Sequence, residues 1–163
     1  MSFQEEQERF MKREAQARFM ERGKFRSLGA RATSLKGWSW SVGMRTLDGE
    51  PVVRVAEGGQ PIVMRTRDIP SFGPVMQLEL GAPDAVPDLR DPAIVGSLLR
   101  LVRNIIGEPC WSPHGLLDGG EVQWLADVPH RRERQTRYAT EAEAIIVRAE
   151  KFLREGERAG TAE

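Results

Sequence analysis

The chain has 163 residues, of which 40% are hydrophobic and 29% charged, and its 24 basic and 24 acidic residues leave a formal net charge of zero. This length and composition predict one folded domain and exclude a generally disordered chain. The single cysteine, Cys110, excludes an internal disulfide and favours a reducing compartment. Because the N-terminus is polar and acidic and no apolar run approaches about 20 residues, we expect a cytoplasmic protein that does not contact membranes.

The first segment, residues 1–22, has the composition of a helix, with many good helix formers, no glycine and no proline. Its apolar stripe is narrow among many charges, so a helix there is weakly anchored by itself. We interpret it as an arm that packs on the domain, pairs with a second subunit or receives a partner. Gly23 is expected to end this helix. Residues 23–35 then form a linker to a single domain over residues 36–156, and residues 157–163 form a frayed tail.

A β-meander is predicted after the linker, because apolar and polar residues alternate from Trp38 onward. Asp48-Gly49 and Gly58-Gly59 each match a two-residue type I′ hairpin turn, in which both central residues adopt positive φ. Together the two turns set the register of three strands, since a slip of one residue would scatter the apolar side chains over both faces. The predicted apolar rows are Val42, Val55 and Ile62 in one, and Met44, Val53 and Met64 in the other.

A fourth strand is predicted over residues 75–80, and a central helix comes after it. Asp91 is a suitable N-cap for this helix, Pro92 suits its first position, and Gly107 lies just beyond its end. Apolar residues surround the helix almost completely. We therefore expect it to be the central buried helix of the domain.

A second β-unit and a last helix complete the chain. We predict a short strand within residues 110–117, a turn at residues 118–120 and a strand over residues 122–128, and Thr140 with Glu143 forms a capping box for the last helix. The fold class is therefore α+β, an antiparallel meander sheet with a central buried helix and flanking N- and C-terminal helices, in the order α-βββ(β)-α-ββ-α. In topology this order resembles bacterial secretion-chaperone-like domains, a resemblance that implies a chaperone-like role in binding other proteins.

Four arginines occupy the sheet face opposite the apolar rows in the predicted register. No acidic residue within the three strands shares that face. Guanidinium groups bind phosphate and carboxylate groups through paired hydrogen bonds, so this face is a candidate site for an acidic protein or a nucleic acid. In the alternative interpretation these arginines are solvated, or pair with glutamates of the terminal helices. The candidate binding residues are Arg45, Arg54, Arg65 and Arg67.

Motifs for catalysis or cofactor binding are weak in this sequence. Cys110 and His114 would supply only two metal ligands, and Pro113 between them disfavours a helical Cys–His pair. The glycine pairs are explained as hairpin turns, since none is followed by the Lys-Ser/Thr pair of a phosphate-binding loop. Trp38 and Trp40 lie on the predicted core face. We therefore predict no catalytic residue, no metal site and no cofactor.

These observations favour a non-enzymatic cytoplasmic binding or adaptor protein that recognises another protein. A homo-oligomer formed through the N-terminal helix is also left open. The alternative function is nucleic-acid binding through the arginine face and the basic segment 23–47, which contains five basic residues and no acidic one. A third option is an enzyme that uses Cys110.

Overall fold

The computed structural model describes residues 3–126 and 136–160, and within them the chain forms three helices and two antiparallel sheets of three strands each. The elements are α1 (Phe3–Thr33), β1 (Val52–Val55), β2 (Pro61–Ile69), β3 (Gly73–Leu80), α2 (Pro92–Ile106), β4 (His114–Asp118), β5 (Glu121–Leu125), β6 (Arg137–Tyr138) and α3 (Glu141–Gly160). The strand orders are β1-β2-β3 and β4-β5-β6. The predicted α+β class, with its meander and its central and flanking helices, is confirmed.

Helix α2 lies at the centre of the core, as predicted, and buries four of its apolar residues. The Asp91 carboxylate accepts a hydrogen bond from the Ala93 N–H at 2.9 Å, which satisfies one of the free donors at the start of the helix. Gly107 ends the helix with a φ of 71°. Glycine adopts this left-handed conformation without the clash that a Cβ atom would cause. Both ends of α2 are therefore encoded locally.

Helix α1 is longer than the sequence pattern indicates. The prediction that Gly23 ends it is wrong, because the helix continues to Thr33 and most of the predicted linker is helical. The added turns bury Phe25, Leu28 and Ala32 in the core. A glycine inside a helix costs only about 1 kcal/mol, whereas burial of a large apolar side chain contributes roughly 1.5–3 kcal/mol. Tertiary burial therefore carries the helix through the glycine.

The strand predicted to start at Trp38 does not form. Gly43 adopts a φ of 93°, a left-handed conformation that interrupts the alternation of an extended strand. Arg45 and Thr46 make only isolated bridges, and Val42 is 69% exposed instead of lying in an apolar row. The first sheet therefore begins at β1.

The two hairpin turns that were predicted to align the meander each have one more loop residue than expected. In each, only the last loop residue has positive φ, 85° at Gly49 and 80° at Gly59, whereas a type I′ turn needs positive φ at both central positions. Backbone hydrogen bonds close the loops between residues 46 and 50 and between residues 56 and 60. Each loop is thus a three-residue turn that ends in a left-handed glycine, and the predicted register is wrong by one residue.

The shifted register exchanges the two faces of the sheet. Val52 pairs with Val63. After a bulge between Val52 and Arg54, Val55 pairs with Pro61 rather than with Ile62, and Arg54 lies on the face opposite to Val52. Val52 and Val63 are buried in the core, although the predicted register would place them on the face opposite the apolar rows, together with the four arginines. Ile62 lies half-buried on the other side. The two predicted apolar rows therefore do not form, because a change of one residue moves every side chain of a strand to the other face.

The second sheet contains the turn that was predicted at residues 118–120. Gly119 and Gly120 both have positive φ, 58° and 89°, so this turn has the two-residue geometry that the other two lack. The strand before it begins at His114 rather than near Cys110, and the strand after it ends at Leu125. The remaining part of the latter prediction, residues 127 and 128, lies outside the described residues.

Helix α3 begins as the capping box predicts, since the Glu143 N–H donates to the Thr140 hydroxyl at 3.2 Å. Its apolar stripe packs on α2 through buried residues that include Ile145 and Ile146. The helix continues to Gly160, beyond the predicted domain end at residue 156, and fraying of the tail stays a prediction. Most residues of this last stretch are good helix formers, which is sufficient to extend a helix already anchored by packing. Residues 161–163 lie outside the described residues.

Candidate functional site

The four predicted binding arginines do not share one face of the first sheet. Arg65 and Arg67 lie on the same side of β2 as Val63, beyond the edge of the core. Arg65 donates hydrogen bonds to Glu50 and, at 3.1 Å, to Glu79, and Arg67 pairs with the same Glu79 at 2.8 Å. The hydrogen bond to Glu50 is the main cause that raises the pKa of the Arg65 guanidinium above its ordinary value. These two arginines are therefore engaged by carboxylates within the chain.

The other two arginines have different surroundings. Arg54 pairs with Ile62 and so faces the side of the sheet opposite to Arg65. Arg45 lies outside the named strands, in an isolated bridge with Pro51. Neither Arg45 nor Arg54 forms an ion pair within residues 3–126 and 136–160. The single arginine face is thus a wrong prediction, while a binding role for these residues, including contact with nucleic acid, stays a prediction.

The first sheet carries apolar side chains on both faces. One face packs on the core through Val52 and Val63. On the other, Met76, Leu78 and Leu80 are 69%, 66% and 58% exposed. An antiparallel sheet with one side toward water ordinarily has polar residues on that side, so this composition indicates a contact surface. We call it the outer face, and it comprises Arg54, Ile62, Met64, Thr66, Asp68, Met76, Leu78 and Leu80.

Strand β3 supplies most of this apolar surface. In the usual pattern the apolar residues of a strand face the core and the polar residues face water, whereas β3 has the reverse arrangement. Gln77 and Glu79 lie on the core side of the sheet, where they pair across the strands with Arg65 and Val63, while the leucines point outward. The alternation of β3 is evident in the sequence. Its direction is not, since it depends on the register with β2 and on which face of the sheet packs on the core.

A second exposed surface is the distal segment of α1, which we define as residues 4–24. Every side chain in it except that of Glu14 is exposed, and a pair between Glu14 and Arg18 at 2.6 Å spans one turn of the helix. At 1.5 Å per residue the segment is about 30 Å long. Its four large apolar side chains, which are 64–76% exposed, are Phe10, Met11, Phe19 and Met20.

An open groove of about 660 Å³ separates α1 from α3. Leu35 and Leu153 contribute to its apolar lining, and an ion pair between Arg31 and Glu150 crosses it. The guanidinium donates from two nitrogen atoms to the two carboxylate oxygens, each at 2.8 Å. This hydrogen bonding is the main cause that lowers the pKa of Glu150 below its ordinary value of 4.5. No sequence signal indicates the pair, because its members are 119 residues apart.

The Arg31–Glu150 ion pair should contribute to the free energy of unfolding by an amount that depends on pH. Because the pKa of Glu150 is lower in the folded state, the stabilisation is complete above the unfolded pKa near 4.5 and is lost as the pH falls through the folded value. Both side chains are about one-third exposed, so solvent screening limits the effect to about 0.5–1 kcal/mol. Urea unfolding of Glu150→Gln should show this loss at pH 7 and a smaller one near pH 3. Glu155→Gln, which removes a charge from the same helix without an ion pair to Arg31, should change stability little at either pH.

The remaining candidate residues are the cysteine, its neighbouring histidine and the tryptophans. Cys110 and His114 are both exposed. Within the part of the chain that the structure describes, no group of three or more His, Cys, Asp and Glu side chains is arranged to hold a metal ion. Trp40 is buried in the core, as expected, and its ring meets that of Trp38 edge to face with the centroids 6.2 Å apart.

Comparison with known proteins gives no match to a protein-family model, a curated protein or a solved structure. None of the described helices is both long enough and apolar enough to cross a membrane. Any assignment of function therefore depends on the geometry and chemistry of the exposed surfaces.

Proposed function

We propose that this chain is a non-enzymatic cytoplasmic adaptor that recognises another protein through the distal segment of α1. The observation that carries the proposal is the exposure of four large apolar side chains on a helix that is otherwise charged. Burial of each such side chain by a partner contributes roughly 1.5–3 kcal/mol. Because α1 is one continuous helix anchored in the core through Leu28 and Ala32, the segment is presented without a hinge at Gly23. Less conformational entropy is then lost on binding.

The arrangement of the apolar residues indicates the kind of partner. The pair Phe10 and Met11 lies nine residues from the pair Phe19 and Met20, which at 100° per residue places the two pairs on opposite sides of the helix. A partner that covers both pairs must surround the helix, as the neighbouring helices of a bundle do. Residues 1–22 contain five acidic and five basic residues, so net charge gives little selectivity. Recognition then depends mainly on the apolar side chains.

A double substitution, Phe19→Ser with Met20→Ser, tests this proposal in the full chain. We expect the amount of partner captured on the immobilised protein to fall at least about tenfold, as is typical when apolar anchors are removed from an interface. The two side chains are exposed, so the circular dichroism spectrum and the unfolding midpoint should be unchanged.

The matched control is Gln16→Ser with Ala17→Ser, two exposed positions in the same segment of the helix. It loses at least as much helix propensity, because alanine is the best helix former, but no large apolar group, and should retain the captured partner. Equal capture by the wild type and both variants would exclude the distal segment of α1 as the recognition surface.

A further inference from the structure

The outer face of the first sheet is apolar in its middle and oppositely charged at its two ends. Neither Arg54 nor Asp68 forms an ion pair with any described residue. Both lie on the same face, since residues of β2 that are two apart point the same way and cross-strand partners share a face. Along the strands the rows run in the order Arg54 beside Ile62 and Leu80, then Met64 with Leu78, then Thr66 with Met76, and last Asp68 with Pro74.

No described element covers this face, although its composition is that of a buried layer. Its three β3 side chains are each more than half exposed, and on the opposite face only the part formed by Val52 and Val63 packs on the core. An apolar sheet face ordinarily packs against a further layer of structure. A further layer on the outer face would remove Met76, Leu78 and Leu80 from water.

We propose that this layer is the outer face of a second copy of the chain, with the strands of the two copies running antiparallel. A two-fold axis across the strands places the Arg54 end of each copy against the Asp68 end of the other, so both charges gain an opposite partner. An axis along the strands would instead bring the two Arg54 side chains together, and like charges in contact are destabilising. Charge complementarity thus selects the antiparallel arrangement, with Leu78 near the axis.

The size of the face supports a dimer of low affinity. Strand β2 has nine residues, so the face is about 30 Å long; it is about 10 Å wide where β2 and β3 pair and about 15 Å wide at the end where β1 joins them. Two such faces bury on the order of 1,000 Å² in total, at the lower limit for specific association. Interfaces of this size are weak or transient, so association is expected at micromolar or higher concentrations of the chain. This inference does not depend on the proposed role of α1 and can fail independently of it.

Sedimentation equilibrium of the full chain, over about 1 to 100 µM, measures this association directly. We expect a monomer–dimer equilibrium for the wild type and a dissociation constant raised at least about tenfold by Leu78→Glu, which brings two carboxylates together near the axis. Leu78 is 66% exposed, so the monomer should stay folded by circular dichroism. The control Leu117→Glu alters a side chain that is 78% exposed on the other sheet and should leave the equilibrium unchanged.

Charge reversal tests the antiparallel alignment itself. Arg54→Asp alone and Asp68→Arg alone should each raise the dissociation constant at least about fivefold, because each places like charges at both ends of the interface. The chain that carries both reversals restores opposite charges and should return to within about twofold of the wild type. General damage to the hairpin would not be rescued in this way.

Three results would overturn the proposal. The first is a monomer throughout the concentration range, which would leave the face to a different protein. The second is a dimer that Leu78→Glu does not weaken but Phe19→Ser with Met20→Ser dissociates, which would assign self-association to α1. The third is a failure of the double charge reversal to restore affinity, which would exclude the antiparallel alignment.

Discussion

Replacement of Leu28 by alanine is expected to lower the free energy of unfolding by about 2–4 kcal/mol. Leu28 is 3% exposed and belongs to the main core, in the part of α1 that lies after Gly23. Truncation removes apolar surface from the core and also leaves a cavity that the surrounding helices close only in part. A change of this size is a large fraction of the stability of an ordinary domain.

The matched control for this prediction lies on the same helix. Phe19→Ala removes a larger side chain, but one that is 76% exposed, and should change the free energy of unfolding by no more than about 0.5 kcal/mol. Urea unfolding measures both variants. The slope of the free energy of unfolding against urea concentration should be unchanged in each. Similar losses for the two would contradict the division of α1 into an exposed distal segment and a buried anchor.

Gly29→Ala is expected to destabilise the protein by about 1–3 kcal/mol, although alanine is the better helix former. A Cβ atom at this position would lie 2.8 Å from the Cβ of Val86 and 3.2 Å from the carbonyl oxygen of Pro87. Neither atom is the mobile end of a side chain, so α1 or the connection before α2 must shift. The close approach of these two segments therefore requires glycine.

The same substitution six residues earlier, at Gly23, should instead stabilise the protein. Gly23→Ala lies inside the same helix, and its Cβ would meet nothing within 4 Å. It gains the helix propensity of alanine, about 1 kcal/mol, without a clash. Thermal or urea unfolding of the two variants compares them directly. A stabilising effect of Gly29→Ala would show that α1 does not pack against Val86 as closely as described.

The local signals in this sequence predict the features that depend on a few neighbouring residues. Asp91 and Gly107 cap α2 because their interactions lie within one turn of the helix, and Thr140 caps α3 for the same reason. The turn at Gly119 and Gly120 forms as predicted, since both of its central residues are glycines in positive φ. No distant part of the chain is needed to decide such features.

The candidate binding surface shows the limit of such signals. The alternation indicates β1, β2 and β3 but also a strand from Trp38 that does not form, and one extra loop residue before Glu50 and another before Gln60 exchange the two faces. In the resulting register the four arginines no longer share one face, and Arg65 and Arg67 form ion pairs with carboxylates of the chain. The apolar outer face around Leu78 takes the place of the predicted guanidinium face.

The sequence by itself determines the α+β class, the order of the elements and the caps of α2 and α3, because these depend on composition, periodicity and contacts within a few residues. Only the tertiary structure decides that α1 continues past Gly23 and that Val52 and Val63 face inward. Both outcomes depend on burial against segments that are distant in the chain. The free energy of that burial exceeds the local preference for a helix end at glycine or for a two-residue turn.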